Sequence, residues 1–108
     1  MFGAYGIKEV DVEFLHASKD DIHLIDVRTD AEVSAGAIAG AVHIPLHLLP
    51  IKAHEIPQDK PVVIYCRSGA RSAQACAFMQ QKGYDNMLNL SGGIAAWARA
   101  GKPIGQLA

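Results

Sequence analysis

Val62-Val63-Ile64-Tyr65-Cys66-Arg67-Ser68-Gly69-Ala70-Arg71-Ser72 is the stretch whose reading decides the fold. Pro61 opens an apolar run of high β propensity, the run ends on a cysteine, and beyond Ser72 the chain turns rich in Ala, Gln and Met, a helical composition. The pattern predicts a strand, a short polar loop and a helix, with the cysteine at the junction where α/β folds gather their chemistry. A helix starting near Ala70 or Arg71 aims unpaired amides and the positive end of its dipole into the loop, and Gly69 allows a tight turn there. From Lys60 to Gly83 there is no Asp or Glu, whereas Lys60, Arg67, Arg71 and Lys82 are cationic. Amides, dipole and local charge all favour a thiolate, so Cys66 is expected to have a pKa below that of a free thiol. A lone cysteine ordinarily ends a buried strand as a small apolar residue. The Arg-Ser-Gly-Ala-Arg-Ser that follows it argues against that reading.

Working outward, Ile7 to Val10 reads as a short edge strand, and Asp11 is placed to cap a helix carrying Val12, Phe14 and Leu15. Ile22 to Val27 is a compact apolar run whose charged residues, Asp26 and Arg28, emerge at its carboxyl end, as in a buried parallel strand facing the loop. Thr29 or Asp30 can cap a short helix that ends at Gly36, which puts Asp26, Arg28 and Glu32 within reach of an ion-paired cluster. Ala41 to Ile44 is a further strand stopped by Pro45, and Leu46 to Ile56 reads as a helix interrupted near Pro50. The helix after the loop places Ser72, Ala75, Cys76, Phe78 and Met79 on one broad face, so Cys76 is expected in the core and too far along to bridge to Cys66. Asn86 to Leu90 supplies the last strand, and Ser91-Gly92-Gly93 turns the chain into a final helix with Trp97 as a packing anchor. Strands alternating with helices at this spacing predict an α/β fold, a mainly parallel sheet of about five strands covered on both faces.

These stretches resemble the single-domain form of the rhodanese (thiosulfate sulfurtransferase) superfamily. The resemblance is carried by Leu24-Ile25-Asp26-Val27-Arg28 with Glu32 and Gly36, by Ile38-Ala39-Gly40-Ala41, by the loop Cys66 to Ser72, and by Leu90-Ser91-Gly92-Gly93-Ile94-Ala95-Ala96-Trp97 with Gly101-Lys102-Pro103. It implies a rhodanese-like three-layer fold and a Cys66 that accepts a sulfane sulfur from thiosulfate or a persulfide donor. The persulfide so formed then passes its outer sulfur to cyanide, a small thiol or a sulfur-carrier protein. It further implies that Arg67, Ser68, Gly69, Ala70, Arg71 and Ser72 bind the substrate anion and that Asp26 and Arg28 brace the scaffold. One departure stands out: the family's usual Gly-His-Ile is Gly36-Ala37-Ile38 here. Ala37, His43 and residues 45 to 56 are the expected rim of the pocket, where donor and acceptor are chosen.

Two other functions compete. A cysteine phosphatase or arsenate reductase also uses a cysteine in an anion-binding loop before a helix, but tyrosine-phosphatase-type loops resemble Cys-x5-Arg, and here Arg71 closes Cys-x4-Arg. The shorter loop has room for one extra sulfur rather than a tetrahedral oxyanion. A non-catalytic rhodanese-like binding or regulatory module is the second rival, and such modules typically lack the cysteine that this chain keeps.

The 108 residues fit one domain, 1–108, with a core that needs no staples. Ten Lys and Arg against 11 Asp and Glu give a net charge of −1, which makes a nucleic-acid partner unexpected. Two cysteines make no disulfide framework, and no C-x-x-C pair is present. The stretch from Met1 to Lys8 shows no basic leader, and no segment approaches the length of a membrane span. A cytoplasmic monomer with no membrane partner is therefore expected. His43, His47 and His54 invite a metal reading, but Pro45 spoils helical spacing for the first pair and no carboxylate or cysteine stands at ligand spacing, so neither metal nor cofactor is expected.

Overall fold

The computed structural model describes residues 6–107. Met1 to Tyr5, part of the stretch read above for a leader, lie outside the described residues. Strands β1 (Glu9–Val10), β2 (His23–Asp26), β3 (Val42–His43), β4 (Val62–Tyr65) and β5 (Met87–Leu90) alternate with helices α1 (Val12–Ser18), α2 (Asp30–Ala35), α3 (Leu49–Lys52), α4 (Ala70–Gln81) and α5 (Gly93–Arg99). The five strands form one sheet in the order β1-β5-β4-β2-β3, and every neighbouring pair is parallel. All carboxyl ends therefore point the same way. The register sets Asp26 beside both Tyr65 and His43, and Ile64 beside Asn89.

β4 lies in the centre and is apolar on both faces, as a parallel strand covered twice must be. Val62 and Ile64 face a cluster with Ala75, Cys76 and Met79 of α4 and Leu49 of α3. Val63 and Tyr65 face Leu15 of α1 and Ile94 and Trp97 of α5. The two-residue period of the strand carries one step further, so Cys66 falls on the α4 side. Sequence alternation thus decides which layer the sulfur faces.

Local chemistry fixes the ends of these elements. Asp11 caps α1, its Oδ1 accepting from Phe14 N at 2.8 Å. Thr29 and Glu32 form a reciprocal capping box at the start of α2, and Gly36 closes that helix at φ 147°, a conformation side chains resist. The segment from Leu46 to Glu55 differs from expectation. It is a 3-10 turn (Leu46–Leu48), the single-turn α3 and another 3-10 turn (Ala53–Glu55), and Pro50 lies in the first turn of α3 rather than breaking a longer helix. A proline lacks only an N–H that the first turn leaves unpaired in any case. Among the described residues, no helix is long and apolar enough to cross a membrane.

Trp97 is wholly buried and its Nε1 donates to Pro103 O at 2.8 Å, tying the segment after α5 back to that helix. Trp97→Ala is expected to lower unfolding stability by about 3–5 kcal/mol in a urea titration, the usual cost of deleting a buried indole.

Candidate functional site

The loop between β4 and α4 closes around the sulfur of Cys66. Gly69 N donates to Cys66 Sγ at 3.1 Å, and the buried Ser72 hydroxyl donates to it at 3.3 Å. Burial pushes the thiol up, but the Ser72 hydroxyl and the amides of Ser72, Gly69 and Ser68 outweigh it and hold Cys66 below its ordinary value. Cys66 is only 1% exposed. The sulfur therefore sits beneath the loop, where water competes little for those donors. Gly69 makes the turn at φ 108°, and α4 begins at Ala70 with its first amides toward the loop.

For these amides to face inward, the loop's carbonyls need partners elsewhere. The amides at the start of α5 provide them: Ile94 N donates to Cys66 O at 2.9 Å and Ala95 N to Arg67 O at 3.1 Å. Gly93 allows this approach. A Cβ at Gly93 would lie 2.4 Å from Arg67 O and 2.5 Å from Cys66 O. The third carbonyl, Gly69 O, accepts from Asn89 Nδ2 at 3.1 Å and from Ala73 N at 3.1 Å. Asn89 is buried on β5 and its Nδ2 also donates to Glu9 Oε2 at 2.9 Å, so the edge strand is linked to the loop. In the sequence Ser91-Gly92-Gly93 reads as a turn and nothing marks Asn89 for a role. A glycine pair opening a helix directly after a strand was the available signal for a close backbone approach.

The charges divide unevenly. Asp26 is fully buried and accepts from Arg28 through both oxygens, with Nη2 to Oδ2 at 2.7 Å and Nε to Oδ1 at 3.0 Å. The same Nη2 donates to Gly36 O at 2.7 Å, which ties β2 to the end of α2. Glu32 does not join that pair through its side chain. Its oxygens accept from Arg71 Nη1 at 2.7 Å and Nη2 at 2.9 Å, while only its backbone carbonyl meets Arg28, at 3.4 Å. The loop thus has an acidic neighbour that the chain between residues 60 and 83 does not contain, brought there by α2. Arg67 is exposed and, among the described residues, makes no side-chain hydrogen bond or ion pair.

The remaining candidates fall elsewhere. Ala37 is fully buried and exchanges two 2.8 Å backbone hydrogen bonds with Gly105, so it packs the wall instead of lining the rim. His43 donates from Nε2 to Arg28 O at 2.7 Å, a scaffold contact. Ser68 is exposed, and its amide, not its hydroxyl, is among the groups that draw the Cys66 pKa down. Cys76 is buried in α4, and burial foremost, with Glu9 and Cys66 nearby, pushes its thiol up to about 12. Both cysteines are free thiols, of which only Cys66 has donors aimed at its sulfur.

Comparison with known proteins agrees with this geometry. The family described as Rhodanese-like domain matches residues 12–100. A protein of Allochromatium vinosum named Sulfurtransferase is 54% identical over 101 residues, covering 91% of this chain and 94% of its own. Putative sulfurtransferase YtwF of Bacillus subtilis is 38% identical over 90% of this chain and 96% of its own. Among solved structures, a rhodanese-related protein from Thermoplasma volcanium superposes with a TM-score of 0.86 at 31% identity, covering 91% of this chain and 97% of that one.

The Arg71 hydrogen bonds hold the Glu32 carboxyl down to about 2, from 4.5 in a free side chain. A carboxyl whose folded pKa lies below its unfolded value stabilises the fold above the unfolded pKa and loses that contribution as pH falls through the folded one. The share of stability that depends on Glu32 is therefore expected to disappear between pH 4.5 and about 2. Denaturation series on the parent and on Glu32→Gln should show the two stabilities converging across that window.

Proposed function

Because the chain belongs to the rhodanese-like family, we propose that it is a sulfurtransferase in which Cys66 carries a sulfane sulfur as a persulfide. The observation that carries the reading is the set of donors round one sulfur: Gly69 N and the Ser72 hydroxyl hydrogen-bond to it at 3.1 and 3.3 Å, and the Ser68 and Ser72 amides act with them to hold its pKa down. Such a set stabilises an anion at Sγ and, by the same geometry, one at a sulfur bonded to it.

In the first half-reaction the Cys66 thiolate attacks the outer sulfur of thiosulfate or of a persulfide. The donor's S–S bond breaks, and sulfite or a thiolate departs with that electron pair, leaving Cys66–S–S⁻. In the second, an acceptor thiolate or cyanide attacks the outer sulfur and Cys66 leaves as the thiolate it began as. The cycle is ping-pong and needs no cofactor. Arg67 attracts the anionic donor, Gly69 and Ala70 shape the turn, and Arg71 and Ser72 hold the loop's far side. Asp26 and Arg28 keep β2 and α2 in register beneath it. A thiol or sulfur-carrier protein is the acceptor class, and the active unit is the single domain 1–108 acting as a cytoplasmic monomer.

Phosphatase chemistry has less support. The arginine that such a loop would turn on an oxyanion, Arg71, is held by Glu32, and a nearly closed sulfur site admits a donor sulfur end first more readily than a phosphoester.

Incubation with thiosulfate or glutathione persulfide is expected to add the mass of one sulfur to the intact protein. The addition should map to Cys66, be absent in Cys66→Ser, and disappear on adding an acceptor thiol. A gain mapped to Cys76, or sulfur transfer at the parental rate by Cys66→Ser, would overturn the assignment.

A further inference from the structure

Three arginines lie in or beside the loop, Arg67 and Arg71 within it and Arg28 on the groove next to Arg67, and two are already matched. Arg28 is held by buried Asp26. Arg71 gives both terminal nitrogens to Glu32 in a paired arrangement. Among the described residues this leaves Arg67 as the exposed, unpaired cation of the three. The surface beside it is a groove whose walls are largely hydrocarbon: Ala35, Ile94, Ala95, Ala98 and Ile104 meet Arg28, Glu32 and Arg67 there, and Ile104 is 45% exposed.

One free cation against an apolar wall complements an anion of single charge with a hydrocarbon body. A dianion brings a second charge for which no second cation is free, so more of its desolvation cost stays uncompensated. We propose that Glu32 sets a charge limit on this site, so that singly charged sulfane-sulfur donors of the type R–S–S⁻ or R–SO2–S⁻ load Cys66 in preference to the thiosulfate dianion. Glu32 is a positioning residue here: it acts through Arg71 and touches neither donor nor sulfur. The inference rests on the sulfur-transfer reading and narrows it.

The chemistry needs no further reagent. With a thiosulfonate, Cys66 Sγ bonds to the outer sulfur, the donor's S–S bond breaks, and the sulfinate R–SO2⁻ departs with the electron pair. Two negative charges stand on each side of the step.

The test measures kcat/KM for thiosulfate, methanethiosulfonate and benzenethiosulfonate with cyanide as acceptor, each divided by the rate of the same donor with free cysteine thiolate to remove intrinsic reactivity. The parent protein is expected to favour methanethiosulfonate over thiosulfate at least about tenfold, with benzenethiosulfonate better still, as charge matching near a surface and apolar burial predict. Glu32→Gln keeps an oxygen for the Thr29 cap but releases Arg71 from its ion pair, so the preference should shrink about fivefold or more through a lower KM for thiosulfate, with a steeper rise of that KM in salt. A role of Glu32 confined to helix capping would change all three donors alike. A parent protein with no preference overturns the proposal without recourse to any variant, as does a preference that Glu32→Gln leaves unchanged while all donors still load Cys66. If no donor adds sulfur to Cys66, the sulfur-transfer reading fails and takes the charge limit with it.

Discussion

The site depends on where one loop's carbonyls go. An amide can be aimed at an anion only if its peptide group is turned, and the carbonyl on its other side then needs a donor of its own. Here the first amides of α5 take the carbonyls of Cys66 and Arg67, and Asn89 with Ala73 takes that of Gly69. With these three oxygens satisfied outward, the loop turns the Gly69 amide and the Ser72 hydroxyl onto the sulfur. The cradle therefore belongs to two strand-to-helix junctions lying side by side, because β4 and β5 are neighbours in the sheet.

Electrostatics at the mouth follows the same economy of partners. A free guanidinium attracts any anion, while one held at two points by a carboxylate mainly fixes the position of the chain that carries it. Arg28 and Arg71 are of the second kind, each tied to α2 or its approach, and Arg67 is of the first. The pairings through Asp26 and Glu32 make α2 a strut between the end of β2 and the start of α4. They also leave the loop's attraction for substrate to main-chain dipoles and a single cation.

The fold was legible because its signals are local. Apolar runs at 22–27, 62–65 and 87–90, the caps at Asp11 and Thr29, and the glycine at 36 each declare their element within a few residues. Cys66 was legible for the same reason, since strand, sulfur, loop and helix are consecutive. What the sequence hid are contacts between distant segments. Nothing near residue 71 announces that Glu32, 39 positions earlier, will bind its guanidinium, and nothing near residue 69 points to Asn89. The stretch without acids around the loop suggested an unopposed cationic site, and folding brought an acid to it. Ala37 looked like a rim residue because it marks a departure from the family's pattern, yet its backbone pairs with Gly105 and its side chain is buried.

If the α5 amides hold the sulfur cradle open, intruding between them and the loop must raise the thiol's pKa. Gly93→Ala does this, since its Cβ would meet two loop carbonyls at 2.4 and 2.5 Å. Gly83→Ala is the matched control, with a left-handed backbone at φ 96° but no atom within 4 Å. Titration of the Cys66 thiolate by ultraviolet absorbance in Cys76→Ala backgrounds should give a midpoint below the free value of about 8.5 in the parent and in Gly83→Ala, and a midpoint moved up toward it in Gly93→Ala. An unshifted midpoint in Gly93→Ala, or a parent thiol that titrates like free cysteine, would contradict the account.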